Sequence, residues 1–338
     1  MRRSAPISTV CLFASLLVAL MLVAPATAEP PPERKGVRLV EAWPDIEFKE
    51  PSEVVSPRDG TDDLYVVEKS GRIKTLPKGR GVGPVPQPRT FLDLTSQVAA
   101  QAQGGVLGLA FHPRYAETRR LYVSYLAKNP GYKGARAPAL ADRLQFRLVV
   151  AEFRTSGTSI TPGSQRLVLQ ILKRFPIHQA GGVAFGPDGM LYISTGDGGS
   201  KNDKDGEAQN LKGWLGKILR IDVDGRTGRL GYAIPPDNPF ASKPAVGLPQ
   251  IWAYGFRNPW RFAWGTDGRM WTTEPGTTGA ESREWVTEVL KGGNHGWPYY
   301  EGTRPIRPLP PTIDPGTLVP RAFEYVRGPG DGGTAGVA

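Results

Sequence analysis

The feature that most restricts the fold is a short unit that occurs four times. An apolar stretch meets a turn rich in Pro, Asp or Gly, and a strand of β-branched and aromatic residues follows. The copies are Pro57-Arg58-Asp59-Gly60 before Leu64-Tyr65-Val66-Val67, and Phe111-His112-Pro113 before Leu121-Tyr122-Val123-Ser124. Then come Gly186-Pro187-Asp188-Gly189 before Leu191-Tyr192-Ile193-Ser194, and Gly265-Thr266-Asp267-Gly268 before Met270-Trp271-Thr272-Thr273. The strands start at 64, 121, 191 and 270, at spacings of 57, 70 and 79. That is too uneven for a strict repeat, but it suits four-stranded blades of roughly 40–50 residues with long loops on one face. Further strands read at 147–153, 166–172, 217–223 and 250–254, and the best short helix candidate is 283–290. The fold expected is all-β, a β-propeller over 37–338. An array of sandwiches would not generate the recurring unit. With 42 Gly and 33 Pro the chain is rich in turn formers. They follow no G-x-y period, which excludes collagen, and 39% hydrophobic residues exclude a disordered chain.

Residues 1–28 read as a secretory signal, with Arg2 and Arg3, an apolar run over 10–24, and Ala26-Thr27-Ala28 before Glu29. The run is shorter than the about 20 residues that span a bilayer. A Pro-rich lead-in, 29–36, follows. Cleavage would leave no membrane span and a periplasmic or secreted protein. The one Cys, Cys11, lies inside the signal, so neither disulfides nor Cys-based metal sites are expected after cleavage. The net charge of +10 is spread without a run of five basic residues. With export, that argues against nucleic acid as the partner. A basic field around a pocket would favour an anionic ligand.

Function is expected in the loops 103–108, 175–182, 196–210, 255–259, 274–284 and 292–298. Of three histidines, His112 precedes a Pro turn and His295 sits in a Gly-rich turn, both structural settings. His178 differs: it lies in Pro176-Ile177-His178-Gln179-Ala180-Gly181-Gly182, where two glycines let a ligand approach the backbone. A neutral imidazole there would serve as a general base near pH 7. Asp197, in Thr195-Gly196-Asp197-Gly198-Gly199, would either shape a turn or orient a histidine. If 183–188 pairs with 191–195 in a hairpin, Asp197 returns beside His178. Arg257-Asn258 at a strand end would hold an anionic or carbonyl-bearing ligand, or form a surface salt bridge. No G-x-S-x-G, P-loop or H-E-x-x-H motif occurs. Asp203-x-Asp205-Gly206 has part of a calcium-loop pattern but lacks its first acid and closing Glu.

Six segments in order carry a resemblance. They are Gln103-Gly104-Gly105-Val106-Leu107-Gly108-Leu109-Ala110-Phe111-His112-Pro113, His178-Gln179-Ala180-Gly181-Gly182 with Gly186-Pro187-Asp188-Gly189, and Thr195-Gly196-Asp197-Gly198-Gly199. The others are Leu215-Gly216-Lys217-Ile218-Leu219-Arg220-Ile221-Asp222, Gly255-Phe256-Arg257-Asn258-Pro259, and Lys291-Gly292-Gly293-Asn294-His295-Gly296-Trp297-Pro298. Together they resemble the soluble pyrroloquinoline-quinone (PQQ)-dependent glucose/sorbosone dehydrogenase family. The resemblance implies a six-bladed β-propeller that oxidises aldoses or related alcohols and aldehydes, with PQQ, calcium and an external electron acceptor. His178 would be the base and Asp197 would orient it. Arg257 and Asn258 would contact the quinone oxygens, with Gln103 bonding near cofactor or substrate. The carbonyls of Gly276 and Thr277 would ligate calcium. The family continues about two blades past 291–298, so the last blades are expected to be incomplete here. Two other readings stay open: a non-catalytic propeller that binds carbohydrate or protein, and a calcium-dependent lactonase-type propeller.

Overall fold

The four repeated strands are the second strands of four antiparallel sheets in a computed structural model, which describes residues 43, 46–76, 87–134, 139, 143–279 and 281–327. The export signal expected at 1–28 and the lead-in at 29–36 lie outside the described residues. Blade 1 runs β1 (Pro51–Val55), β2 (Leu64–Glu68), β3 (Arg72–Leu76) and β4 (Arg89–Asp93). Blade 2 is β5 (Val106–Phe111), β6 (Arg120–Lys128) and β7 (Phe146–Ser156), with β8 (Ser159–Ile160) as a short arm on β7 and β9 (Arg166–Lys173) outermost. A single helical turn, α1 (Tyr115–Thr118), joins β5 to β6. Blade 3 is β10 (Ala180–Phe185), β11 (Leu191–Thr195), β12 (Lys217–Ile221) and β13 (Ile251–Tyr254). Blade 4 is β14 (Phe262–Trp264), β15 (Met270–Glu274) and β16 (Arg283–Glu288), then a hairpin of β17 (Tyr300–Glu301) and β18 (Arg304–Pro305), and β19 (Arg321–Val326) outermost. The fold is a β-propeller. Of the six blades the resemblance implies, the described residues form four.

The turns explain why the unit recurs. In Gly186–Gly189, Gly189 takes φ +77° and the Asp188 carboxylate accepts the Met190 amide two residues on, at 3.1 Å. Asp267 does the same for Arg269, and Asp59 for Thr61, each at 3.1 Å. In blade 2 no aspartate is present, and Nδ1 of His112 accepts the Arg114 amide at 3.1 Å instead. Each is a side-chain oxygen or nitrogen closing a turn between strands 1 and 2 of a blade. The structural reading of His112 therefore has a specific content.

One sequence expectation is corrected. The helix candidate at 283–290 is β16, paired on one side with β15 and on the other with β19. Its apolar residues are too few to define a helical face. Ladder partners on both edges, and burial of Trp285 among them, outweigh local propensity.

The cores lie between neighbouring blades. Tyr65, Ile73, Phe91, Phe111, Val123 and Val149 fill the space between blades 1 and 2. Leu107, Tyr122, Val150, Ile171, Ile193 and Leu219 fill that between blades 2 and 3. Each fully buried aliphatic contributes about 1.5–3 kcal/mol. The inner strands β1, β5, β10 and β14 come close enough that glycine is required. A Cβ on Gly108 would stand 3.0 Å from the Val183 nitrogen, and one on Gly182 3.0 Å from the Trp260 carbonyl oxygen.

Arg261, just before β14, reaches across these inner strands. Its Nη1 donates to Leu107 O at 2.8 Å and Nη2 to Ser52 O at 3.1 Å, and its charge acts on half-buried Glu53, whose carboxylate accepts the Leu109 amide at 3.0 Å. Blades 1, 2 and 4 are thus tied by one guanidinium. Arg261→Met leaves half-buried Glu53 without its cation and strips two carbonyls of their donor. It should lower stability by about 3 kcal/mol in urea unfolding, with an unchanged far-UV spectrum.

Candidate active site

The loops that enter inner strands, and those that join strands 2 and 3 of a blade, emerge at one end of the sheets. His178 ends the β9–β10 loop, and Asp197 starts the β11–β12 loop. Antiparallel pairing of β10 with β11 sets Ala180 opposite Thr195, which brings the two residues together. Nδ1 of His178 lies 2.6 Å from Oδ1 of Asp197. The aspartate accepts two further donors: Gly199 N to Oδ1 at 2.8 Å and the indole Nε1 of Trp297 to Oδ2 at 2.9 Å. A carboxylate surrounded by donors accepts from each of them. The imidazole therefore carries its proton on Nδ1 and keeps a lone pair on Nε2. Burial lowers the His178 pKa below its ordinary value. The Asp197 hydrogen bond opposes this, while the positive charges of Arg257 and Lys173 add to it.

The backbone of His178 is in the left-handed region, φ +48°, as is that of Ala180, φ +47°. Non-glycine residues hold such angles only where the surroundings impose them. Three side chains do so here. The His178 amide donates to Oε1 of Gln103 at 2.6 Å. The His178 carbonyl accepts from Nζ of Lys173 at 2.7 Å, and the Ala180 amide donates to Oδ1 of Asn258 at 2.8 Å. Gln103 and Asn258, expected at a cofactor, thus spend their side-chain oxygens on the histidine loop. Their NH2 groups are what they could offer a ligand.

Arg257 and Asn258 lie in the β13–β14 loop. Asp197 N donates to the Arg257 carbonyl at 2.8 Å, so this loop abuts the pair directly. Buried Glu274, at the end of β15, fixes the loop: its carboxylate accepts the amides of Arg257 at 2.7 Å and Asn258 at 3.2 Å. Burial pushes the Glu274 carboxyl up to about 8. The Arg257 guanidinium is 5.6 Å from the centre of the Trp297 ring, and Nη1 donates to Pro275 O at 3.3 Å. Its Nε has no hydrogen-bond partner although it is buried. Burial lowers its pKa.

Gly276 and Thr277 lie in the β15–β16 loop. The Thr277 amide donates to Oε1 of Glu301 at 2.7 Å, and the Thr277 carbonyl accepts the Ser282 hydroxyl. A Cβ on Gly276 would lie 2.2 Å from Arg283 O. The Gly276 amide faces Oε1 of Glu284 at 3.4 Å, and Oε2 of that buried carboxylate has no partner. Among the described residues no group of three or more His, Cys, Asp or Glu could hold a metal.

Sequence reasoning passed over four residues that build this site. Trp297 was visible only as part of its Gly-rich motif. Lys173 shares strand parity with buried Leu169 and Ile171, a signal available in the sequence. Lys217 is wholly buried, and its Nζ donates to the carbonyls of Glu207, Ala208 and Leu215 at 2.9, 3.0 and 2.6 Å, organising the β11–β12 loop. Asp203, seen first as a calcium-loop fragment, instead accepts the amides of Glu207 and Ala208 at 2.8 and 3.0 Å.

In this propeller the loops join a buried His–Asp pair to a half-buried arginine, a candidate site at one mouth of the blades. The glucose/sorbosone dehydrogenase family model matches residues 48–309, and the chain belongs to that family. It is 33% identical over 296 residues to the HIPL2 protein of Arabidopsis thaliana, covering 76% of this chain and 42% of that one. It is 28% identical over 218 residues to quinoprotein glucose dehydrogenase B of Acinetobacter calcoaceticus, covering 60% of this chain and 41% of that one. The chain thus spans about two fifths of the length of these relatives. A glucose dehydrogenase-type oxidoreductase structure from Thermus thermophilus is 27% identical with a TM-score of 0.63, covering 83% of this chain and 72% of that one. Among the described residues no helix is long and apolar enough to cross a membrane.

Two variants probe the geometry. A Cβ at Gly196 would lie 2.1 Å from the His178 carbonyl oxygen. Gly196→Ala should cost about 1–3 kcal/mol in thermal unfolding and displace His178 from Asp197, seen as loss of the Nδ1 proton resonance. Burial raises the Asp203 carboxyl from 3.8 to about 7. The folded state then holds a proton that the unfolded chain releases. The resulting stability is complete below pH 3.8 and is lost as pH rises toward 7. In Asp203→Asn the fall of unfolding free energy between pH 4 and 7 should be shallower than in the wild type, by denaturant titration at each pH.

Proposed function

We propose that this chain is an exported quinoprotein oxidoreductase that oxidises an aldose or related alcohol or aldehyde. The observation that carries the reading is the Nδ1–Asp197 bond of His178, which leaves Nε2 as a proton acceptor at the loop end where Arg257 has an unspent donor on Nε. The quinone reading draws support from the relative whose name is quinoprotein glucose dehydrogenase B. When bound, PQQ supplies a two-electron acceptor for hydride, re-oxidised by an external electron acceptor. A half-buried guanidinium suits its anionic, carbonyl-bearing edge, and Arg257 with the Asn258 amide would hold it there. The carbonyls of Gly276 and Thr277 would hold calcium. The Glu284 carboxylate beside Gly276 is already paired with Arg327 through Oε1, which leaves only Oε2 without a partner.

Nε2 of His178 would take the proton of the substrate hydroxyl as hydride leaves the carbon that bears that hydroxyl. Asp197 keeps the ring in the tautomer that accepts and steadies the charge it gains. Arg257 stabilises negative charge that develops on oxygen in front of it. The signal at 1–28 directs this chemistry to the periplasm or beyond the cell.

The test is reduction of an artificial acceptor by purified protein given PQQ, calcium and a panel of aldoses. Activity is expected with at least one sugar, and His178→Ala should lower it by two or more orders of magnitude. Because the His178 pKa lies below its ordinary 6.5, the rate should be level above that pH and fall below it. A folded protein with no quinone-dependent reduction overturns the reading in favour of a binding propeller. Lactone hydrolysis without quinone overturns it in favour of a hydrolase.

A further inference from the structure

Lys173 is the last residue of β9, the outermost strand of blade 2, yet its side chain is fully buried. Nζ donates to the His178 carbonyl at 2.7 Å, five residues on, in the loop that holds the histidine. A Met would fill the same space without taking a charge out of water. The ammonium faces the negative charge of Asp197, the same carboxylate that binds the His178 ring.

We propose that Lys173 is a positioning residue for His178. Its ammonium ties down the His178 carbonyl, so holding the left-handed turn that delivers the ring to Asp197, and its charge keeps the ring neutral and able to accept a proton. This rests on the reading of His178 as the base.

The charged groups that face His178 are Asp197 from the β11–β12 loop, Arg257 from the β13–β14 loop and Lys173 from β9. Asp197 alone would favour the imidazolium, whose charge it pairs. Burial disfavours the charged ring, and the two cations add to that effect against the one anion. Burial lowers Lys173 to about 7 and takes His178 below 6.5, so on raising the pH the imidazole loses its proton first. A neutral base then stands beside an ammonium.

The test needs no cofactor. The full chain is labelled with 15N-histidine, and the resonances of His178 among the three histidines are identified by their loss in His178→Gln. Lys173→Gln keeps an N–H donor for the carbonyl but removes the charge. The His178 midpoint should move up by about half a pH unit or more, and the acid limb of dye reduction should move up with it. Lys173→Met, lacking donor and charge, should in addition weaken the Nδ1–H bond to Asp197, read from its proton shift. An unchanged midpoint in Lys173→Gln overturns the proposal. If neither variant melts cooperatively, 15N-lysine spectra of the wild type decide: a Lys173 ammonium at pH 6 supports it, and a neutral amine overturns it. A wild type inert toward every sugar but showing the midpoint shift defeats the functional reading alone. An active wild type without the shift defeats this inference alone.

Discussion

The carboxylate of Asp197 accepts donors from three stretches of chain: the His178 ring, its own loop at Gly199, and Trp297 a hundred residues further on. Remove that one acceptor and the imidazole has no fixed tautomer, the indole has no partner, and the β11–β12 loop loses its first anchor. A buried carboxylate is tolerable only when such donors surround it. The blades supply them because each inner strand begins where the neighbouring strand ends, so their loops meet at one mouth.

The charges around this carboxylate form one compensated set. Buried Lys173 and Lys217 and half-buried Arg257 supply the basic groups; buried Asp197, Asp203, Glu274 and Glu284 supply the acidic ones. Most are bonded to backbone rather than to each other. Lys217 caps three carbonyls, while Glu274 gathers two amides and Asp203 two more. The long Gly-rich loops contain little regular structure of their own, so buried side chains take over the hydrogen-bonding that a ladder would provide. The loops at this mouth are therefore held by buried side chains rather than by strand pairing.

Much of the blade pattern was legible locally. An Asp or Gly at a turn closes a two-strand corner by contacts within four residues, so the second strands at 64, 191 and 270 could be read directly. The His178–Asp197 hairpin was legible too, because a tight turn at 186–189 leaves little choice of register. The segment 283–290 was not. Its six strand residues hold too few apolar side chains to distinguish strand from helix, and only β15 and β19 on either side decide. Gln103 and Asn258 were placed in the right neighbourhood, but their oxygens are committed to the backbone of the histidine loop.

Sequence alone determined the class of architecture, and it singled out the histidine, the carboxylate and the arginine whose loops the structure brings to one mouth of the blades. Those depend on residue chemistry and on contacts a few positions apart. Only the tertiary structure decided which nitrogen of His178 is free, what holds its strained backbone, and how buried lysines balance the acids. These depend on distances between strands 5 to 209 residues apart, which pack against one another through side chains whose burial no local pattern specifies.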